Sequence, residues 1–233
     1  MAEKLTPEKI EEIAKNYEKI TEGKLPIIKG EKETVTEKID PKILQAKKEE
    51  KRLLPLIKPS DPRLLMQIAP FIDDTLKEFD FKDRVELSKV MYDTMVKYGG
   101  IGLSANQVGL PYRMFIMGGH PSIENGKIRS VFNPLINDVS KETVMMKEAC
   151  LSFPFLFLSI TRPKWCHVKY TDQHGKDVEE VLHGMNARIF MHENEHMNGY
   201  VFTDLVSKFK LKRAEEARKK MIKRFTREGV IRK

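Results

Sequence analysis

The pentad His192-Glu193-Asn194-Glu195-His196 constrains this chain more than any other stretch, because its spacing has a direct geometric meaning on a helix that holds a metal ion. On an α-helix, residues i and i+4 lie one above the other, so His192 and His196 present two imidazoles to one ion. Met185 and Ile189 continue the same stripe, which predicts a ligand face running into apolar, buried surroundings. Glu193 lies one step round the helix, near the ion but too tightly placed to be an obvious ligand, and in this pattern it serves as the general base on water polarised by the ion. Asn198-Gly199 predicts a left-handed stop to the helix. In a chain that is 33% charged the pentad also arises by chance on a surface helix, and two histidines do not complete a site. A catalytic tetrahedral centre takes three protein ligands and keeps one position open, so a third donor must come from elsewhere.

At 233 residues and 40% hydrophobic composition, the chain can bury one sizeable core with a small appendage. Residues 1–52 form the appendage: they carry 13 Lys+Arg and 12 Asp+Glu with Tyr17 as the single aromatic, too little apolar surface for an independent core. Thr6-Pro7-Glu8 reads as a helix start, and Ile10, Ile13, Tyr17 and Ile20 follow at helical spacing. The folded domain is expected over residues 53–233. No secretory signal opens the sequence and no apolar run reaches the roughly 20 residues of a membrane span. Two cysteines, Cys150 and Cys166, are too few for a disulfide framework and suit a reducing compartment, so a cytoplasmic protein is expected. The net charge of +8 is a property of the tail: residues 208–233 hold 12 Lys+Arg against 3 acids. Such a segment attracts nucleic acid or another polyanion, or else simply keeps a helix solvated.

Asp80 to Lys97 reads as a helix with Leu87, Val90, Met91, Met95 and Tyr98 on one face, ended by Gly99-Gly100. Arg113 to Met117 and Ser130 to Phe132 read as short strands. Trp165 to Thr171 alternates as a half-buried strand and turns through Asp172-Gln173-His174-Gly175 into Val178 to Leu182. The fold class that follows is α+β, with antiparallel sheets surrounding a central helix that bears the pentad.

Three segments stand out once a metal is assumed: Gly100-Ile101-Gly102-Leu103-Ser104-Ala105-Asn106-Gln107, Glu148-Ala149-Cys150-Leu151-Ser152, and the pentad. In composition and order they resemble the three motifs of peptide deformylase, and the likeness extends over roughly residues 54–205. That resemblance implies an enzyme that removes the formyl group from the N-terminal methionine of nascent polypeptides. It implies Cys150 as the third metal ligand, beside His192 and His196; standing alone, Cys150 would read as a buried inert thiol. It implies ferrous iron, Fe(2+), as the cofactor, with nickel, cobalt or zinc as substitutes; a thiolate with two imidazoles suits any of these borderline ions. Gln107 and the backbone N–H of Leu151 become donors to the developing oxyanion, and Ile101, Gly102 and Ala149 border the extended peptide. Glu148 and Ser152 are expected to orient the second motif. The chain departs from the family pattern at Ala149 (glycine), Ser104 (alanine), Glu195 (aspartate) and Met191 (glutamine), and Phe157 stands where bacterial forms commonly place an arginine. None of these removes a ligand, the base or the oxyanion donor. Cys166 keeps the reading of a buried inert thiol, and His120, His167, His174 and His183 are taken as surface or structural.

Two further readings compete. In one, the protein is a zinc metallopeptidase whose third ligand is Glu215 or Glu216, which follow His196 at a separation suited to that role. In the other it is a catalytically silent ribosome- or RNA-binding module. The tail bears on both: Leu211, Ala214, Ala217, Arg218, Met221 and Phe225 predict a helix over residues 209–232 with one apolar stripe and a basic remainder. By the same resemblance this helix meets the ribosome, and its removal after Lys208 is expected to spare catalysis on short peptides. The expected partners are therefore N-formyl-methionyl peptides and the ribosome, with no membrane, and a monomer is the working expectation.

Overall fold

Three strands that run antiparallel in space define where everything else sits. In the computed structural model, which describes residues 51–229, β1 (Gly102–Ser104), β2 (Met114–Gly118) and β3 (Ile128–Val139) lie side by side. β4 (Thr143–Glu148) and β5 (Leu158–Pro163) pair with each other as a separate hairpin. β6 (Trp165–Thr171) and β7 (Asp177–His183) then return to complete a five-stranded sheet of order β1-β2-β3-β6-β7. Helix α1 (Arg84–Lys97) covers one face of that sheet, helix α2 (Gly184–Met197) packs on the other, and helix α3 (Lys208–Arg227) closes the chain against β5.

β2 shows why the layers form. It is buried at all five positions, and with side chains alternating across a strand, Met114 and Ile116 pack with Leu87, Met91 and Met95 of α1 while Phe115 and Met117 pack with Ile189 and Phe190 of α2. β1 obeys the same alternation: Leu103 joins the α1 core, which leaves Gly102 and Ser104 facing α2. Helix α2 touches β1, β2, β6 and β7 on one side and β5 on the other, so it is buried on nearly every face. The expected α+β architecture around a central pentad-bearing helix is what the chain adopts.

The C-terminal end of α2 is fixed by several polar groups. Arg113 donates to the carbonyl of Met197 at 2.9 Å and to Asn198 Oδ1 at 2.9 Å, placing a cation where the helix dipole is negative. Asn106 Nδ2 donates to the carbonyl of His196 at 3.0 Å. Gly199 stops the helix at φ 78°, and a Cβ there would lie 2.7 Å from the carbonyl oxygen of Leu65.

Several boundaries differ from the sequence expectation. α1 begins at Arg84 rather than Asp80, because Asp80 sits at φ 56° closing the preceding 3-10 turn and the Asp83 carboxylate caps the helix by accepting from Glu86 N at 2.8 Å. β3 extends well past Phe132, carried through Asn133 at φ 51° and two shifts of register that the sequence does not advertise. β1, β4 and β5 were not expected. β4 exposes Val144, Met145 and Met146, so it lacks the apolar-polar alternation of a half-buried strand. The helix expected near Ile10 to Ile20 lies outside the described residues.

Candidate metal centre and its cavity

Cys150 Sγ, a ring nitrogen of His192 and a ring nitrogen of His196 lie within 4.8 Å of one another, and all three residues are buried. The helix supplies the two imidazoles one turn apart. The loop after β4 supplies the sulfur, and Phe153 N closes a turn back onto the carbonyl of Cys150 at 2.9 Å. The sulfur stands 3.3 Å from His196 Nε2. A tetrahedral ion with bonds of about 2.3 Å to sulfur and 2.0 Å to nitrogen holds such a pair about 3.5 Å apart, so the donors fit one small divalent ion.

The side chains behind the donors favour the same use. Glu148 Oε2 meets His192 Nδ1 at 3.1 Å, which leaves Nε2 as the nitrogen directed to the cluster and gives the carboxylate-imidazole pairing found behind metal-bound histidines. Arg162 donates to Glu148 through Nε at 2.6 Å and Nη2 at 2.9 Å, and to Glu195 through Nη1 at 2.6 Å and Nη2 at 2.9 Å. Arg188 also donates to Glu148. Two buried guanidinium groups thus meet the buried Glu148 and the partly exposed Glu195. Burial pushes the Glu148 carboxyl upward, but the hydrogen bonds from His192 and Arg162 overcome it and hold the group at about 2. Burial likewise keeps the His196 imidazole neutral, the form a ligand requires.

Glu193 is buried beside the cluster and opens onto a cavity of about 270 Å³. Burial raises its carboxyl above its ordinary value, and a hydrogen bond from Ser104 pulls it back. The cavity wall includes Ile101, Leu151, Phe157, Met185 and Ile189, so it is largely apolar. Gln107 reaches the cavity with its amide oriented from both ends: Oε1 accepts from Ser104 N at 2.8 Å, and Nε2 donates to Ser152 Oγ at 3.0 Å and approaches Cys150 Sγ at 3.4 Å.

The residues of the three motifs therefore converge. Cys150, His192 and His196 form the cluster; Glu193, Gln107, Leu151, Ile101, Gly102 and Ala149 line the cavity together with two of its donors. Phe157 is in the wall. Cys166 is fully buried in the core shared with Ala187 and Phe190 of α2, its thiol pushed up to about 12 mainly by burial, as an inert core group should be. His120, His174 and His183 are exposed, and His167 pairs with Glu179 at 2.8 Å. Arg162 and Arg188 were missed. Both left a trace: Arg162 stands in phase with buried Leu158 and Ile160 along β5, and Arg188 lies four residues before His192.

Glu215 and Glu216 are exposed on α3 and take no part in the cluster, which overturns the metallopeptidase reading. Sequence separation placed them at a suitable distance along the chain, but α3 turns them outward. The tail helix docks on its own domain. Leu211 and Ala214 pack near Leu156, Leu158 and Phe202, Phe225 is fully buried beside Phe155, and Arg218 donates to the carbonyl of Pro154 at 2.8 Å. Pro154 and Phe155 also line the cavity, so α3 lies behind one part of its wall without lining it. The helix ends at Arg227 instead of continuing to Arg232, and Ala217 is exposed.

A cysteine sulfur from a loop facing two imidazoles of a buried helix, with a carboxylate beside an apolar cavity, is the side-chain set of a metallohydrolase of the H-E-x-x-H class. Comparison with known proteins narrows the class. The family model described as polypeptide deformylase matches residues 54–212. Peptide deformylase of Thermotoga petrophila is 42% identical over 128 residues, covering 54% of this chain and 75% of the relative, and that of Maricaulis maris is 37% identical over 159 residues, covering 68% and 87%. The crystal structure of peptide deformylase from Ehrlichia chaffeensis superposes with a TM-score of 0.62 at 32% identity, covering 73% of this chain and 97% of that one. That from Thermotoga maritima gives 0.58 at 36% identity, covering 66% and 98%. The chain belongs to the peptide deformylase family, metal-dependent hydrolases that remove the formyl group from the N-terminal methionine of nascent polypeptides. Membership favours this over a catalytically silent binding module. Among the described residues no helix is long and apolar enough to cross a membrane.

Proposed function

We propose that this chain performs the deformylation with Cys150, His192 and His196 holding one ferrous ion, and with Glu193 as general base. The observation that carries the assignment is the convergence of three buried donors with a buried, cavity-facing carboxylate. When bound, the ion lowers the pKa of water toward about 7 and polarises the formyl oxygen. Glu193 takes the proton from the attacking water and returns it to the departing nitrogen, so that formate and a free amine leave. Gln107 Nε2 and the Leu151 N–H donate to the oxygen on which charge develops; Gln107 suits this because Ser104 N and Ser152 Oγ already fix its amide. The nascent peptide runs extended past Ile101, Gly102 and Ala149, and β1 is the terminal strand of its sheet, which leaves an edge for that pairing. Phe157, in place of an arginine, gives the cavity wall an apolar side where a charge would favour acidic substrate groups. Purified protein prepared without oxygen is expected to carry iron and to release formate from a formyl-methionyl peptide. Nickel, cobalt or zinc would be expected to replace iron with altered turnover; a preparation that binds none of these ions contradicts the assignment.

We place this activity in the cytoplasm, in a monomer that meets its substrate at the ribosome. α3 supports the last step: with its apolar stripe docked, Lys212, Lys219, Lys220 and Lys223 remain exposed. Reversing all four to glutamate is expected to abolish a weak, salt-dependent co-sedimentation with ribosomes while formate release from short peptides persists. Co-sedimentation unaffected by the reversal, or by salt, removes this role for the helix.

A further inference from the structure

Glu193 is a buried carboxylate one residue from a metal ligand, with rotatable side-chain bonds and an open cavity on one side. For it to move a proton reproducibly something must fix its direction, and β1 does so from both ends of its α2-facing surface. Residues 102 and 104 lie two apart on the strand and face the same way. At 102 the glycine makes room: a Cβ there would stand 2.3 Å from Glu193 Oε1 and 2.9 Å from Ile189 Cγ2. At 104 the fully buried serine supplies a donor, its hydroxyl lying 2.6 Å from Glu193 Oε2 and 3.2 Å from the Glu193 backbone carbonyl. The two carboxylate oxygens are thereby distinguished. Oε2 is anchored to Ser104, and Oε1 lies over Gly102, which lines the cavity. The backbone N–H of the same serine holds Gln107 Oε1 at 2.8 Å, so one residue couples the orientation of the base to that of the amide across the cavity.

We propose that Ser104 is a positioning residue for deformylation: its hydroxyl locks Glu193 in the rotamer that turns Oε1 toward the reacting water. The inference rests on Glu193 being the general base. Removal of the hydroxyl takes the side-chain donor away from Glu193 Oε2 in buried surroundings and leaves the carboxylate free to turn.

In the metal-loaded enzyme, Ser104→Ala is expected to lower kcat about tenfold with KM and metal content unchanged, because the interaction steers the base and does not bind substrate. Ser104→Thr, which keeps the hydroxyl, restores most of the rate. In a Glu193→Ala background Ser104→Ala adds no further loss, since a group that acts only through the carboxylate has nothing left to orient. A crystal structure of Ser104→Ala shows the Glu193 side chain in more than one rotamer, a readout independent of turnover. Should Ser104→Ala keep the parent kcat while Glu193→Ala is inactive, the positioning role is wrong and the base assignment stands. Near-normal turnover by Glu193→Ala overturns the base assignment itself. Loss of metal from Ser104→Ala also overturns the proposal, because the serine would then be supporting the ligand set.

Discussion

Glu193→Ala is expected to lower kcat by about 10²- to 10⁴-fold while the protein still binds its metal ion, the range lost when a positioned general base is removed. The size follows from the absence of a substitute. Glu148 is the other carboxylate lining the cavity, and it is held by Arg162, Arg188 and His192 with its charge stabilised down to about pH 2. So weak a base cannot take over proton transfer. Glu193 has the opposite character: burial raises its carboxyl above its ordinary value, so it is the more basic of the two. On the acid side kcat/KM of the parent should therefore decline as Glu193 becomes protonated, and that limb should vanish in the alanine variant. Cys150→Ala separates base from ligand, since it is expected to lose metal as well as turnover. Retention of near-normal turnover by metal-loaded Glu193→Ala would exclude the mechanism.

What the sequence made legible was whatever depends on local periodicity. The i, i+4 spacing of His192 and His196, the apolar stripe through Ile189 and the stop at Gly199 all follow from helix geometry alone, and each is present. Trp165–Thr171 was bounded correctly because its alternation is that of a strand with one buried face. Cys150 was different: no local rule ties residue 150 to residue 192, and it was found through the likeness of whole motifs. Interactions across elements left weaker marks. The Ser104 hydroxyl was visible as a departure from alanine, but its partner depends on β1 lying against α2. The exposed β4 carries no periodic signal, so the hairpin that delivers Cys150 was invisible although the cysteine was not. Glu215 and Glu216 show the converse error, a plausible spacing defeated by the direction in which a helix turns its side chains.

Glu148→Ala is expected to destabilise the fold by about 3–5 kcal/mol at neutral pH, the range for breaking a buried ion pair by removing one partner. Glu148 is buried, and the two guanidinium groups on it are buried as well, so water cannot replace the carboxylate. Arg162 would keep Glu195, but Arg188 would retain only the carbonyls of Ile160 and Val144, which carry no charge. The same change frees His192 Nδ1, and metal affinity should fall about 10- to 100-fold through loss of imidazole orientation. The pH dependence has a definite sign. Folding lowers the Glu148 pKa from its ordinary value of 4.5 to about 2, so the folded protein binds fewer protons here than the unfolded chain. The stabilisation is therefore complete above about pH 4.5 and disappears as pH falls toward 2. Urea denaturation of the parent and of Glu148→Ala, each freed of metal, should show a large difference in midpoint at pH 7 that narrows through this window. Equal midpoints at pH 7 would mean that the carboxylate contributes no net stability, and that its value to the protein lies in holding His192 alone.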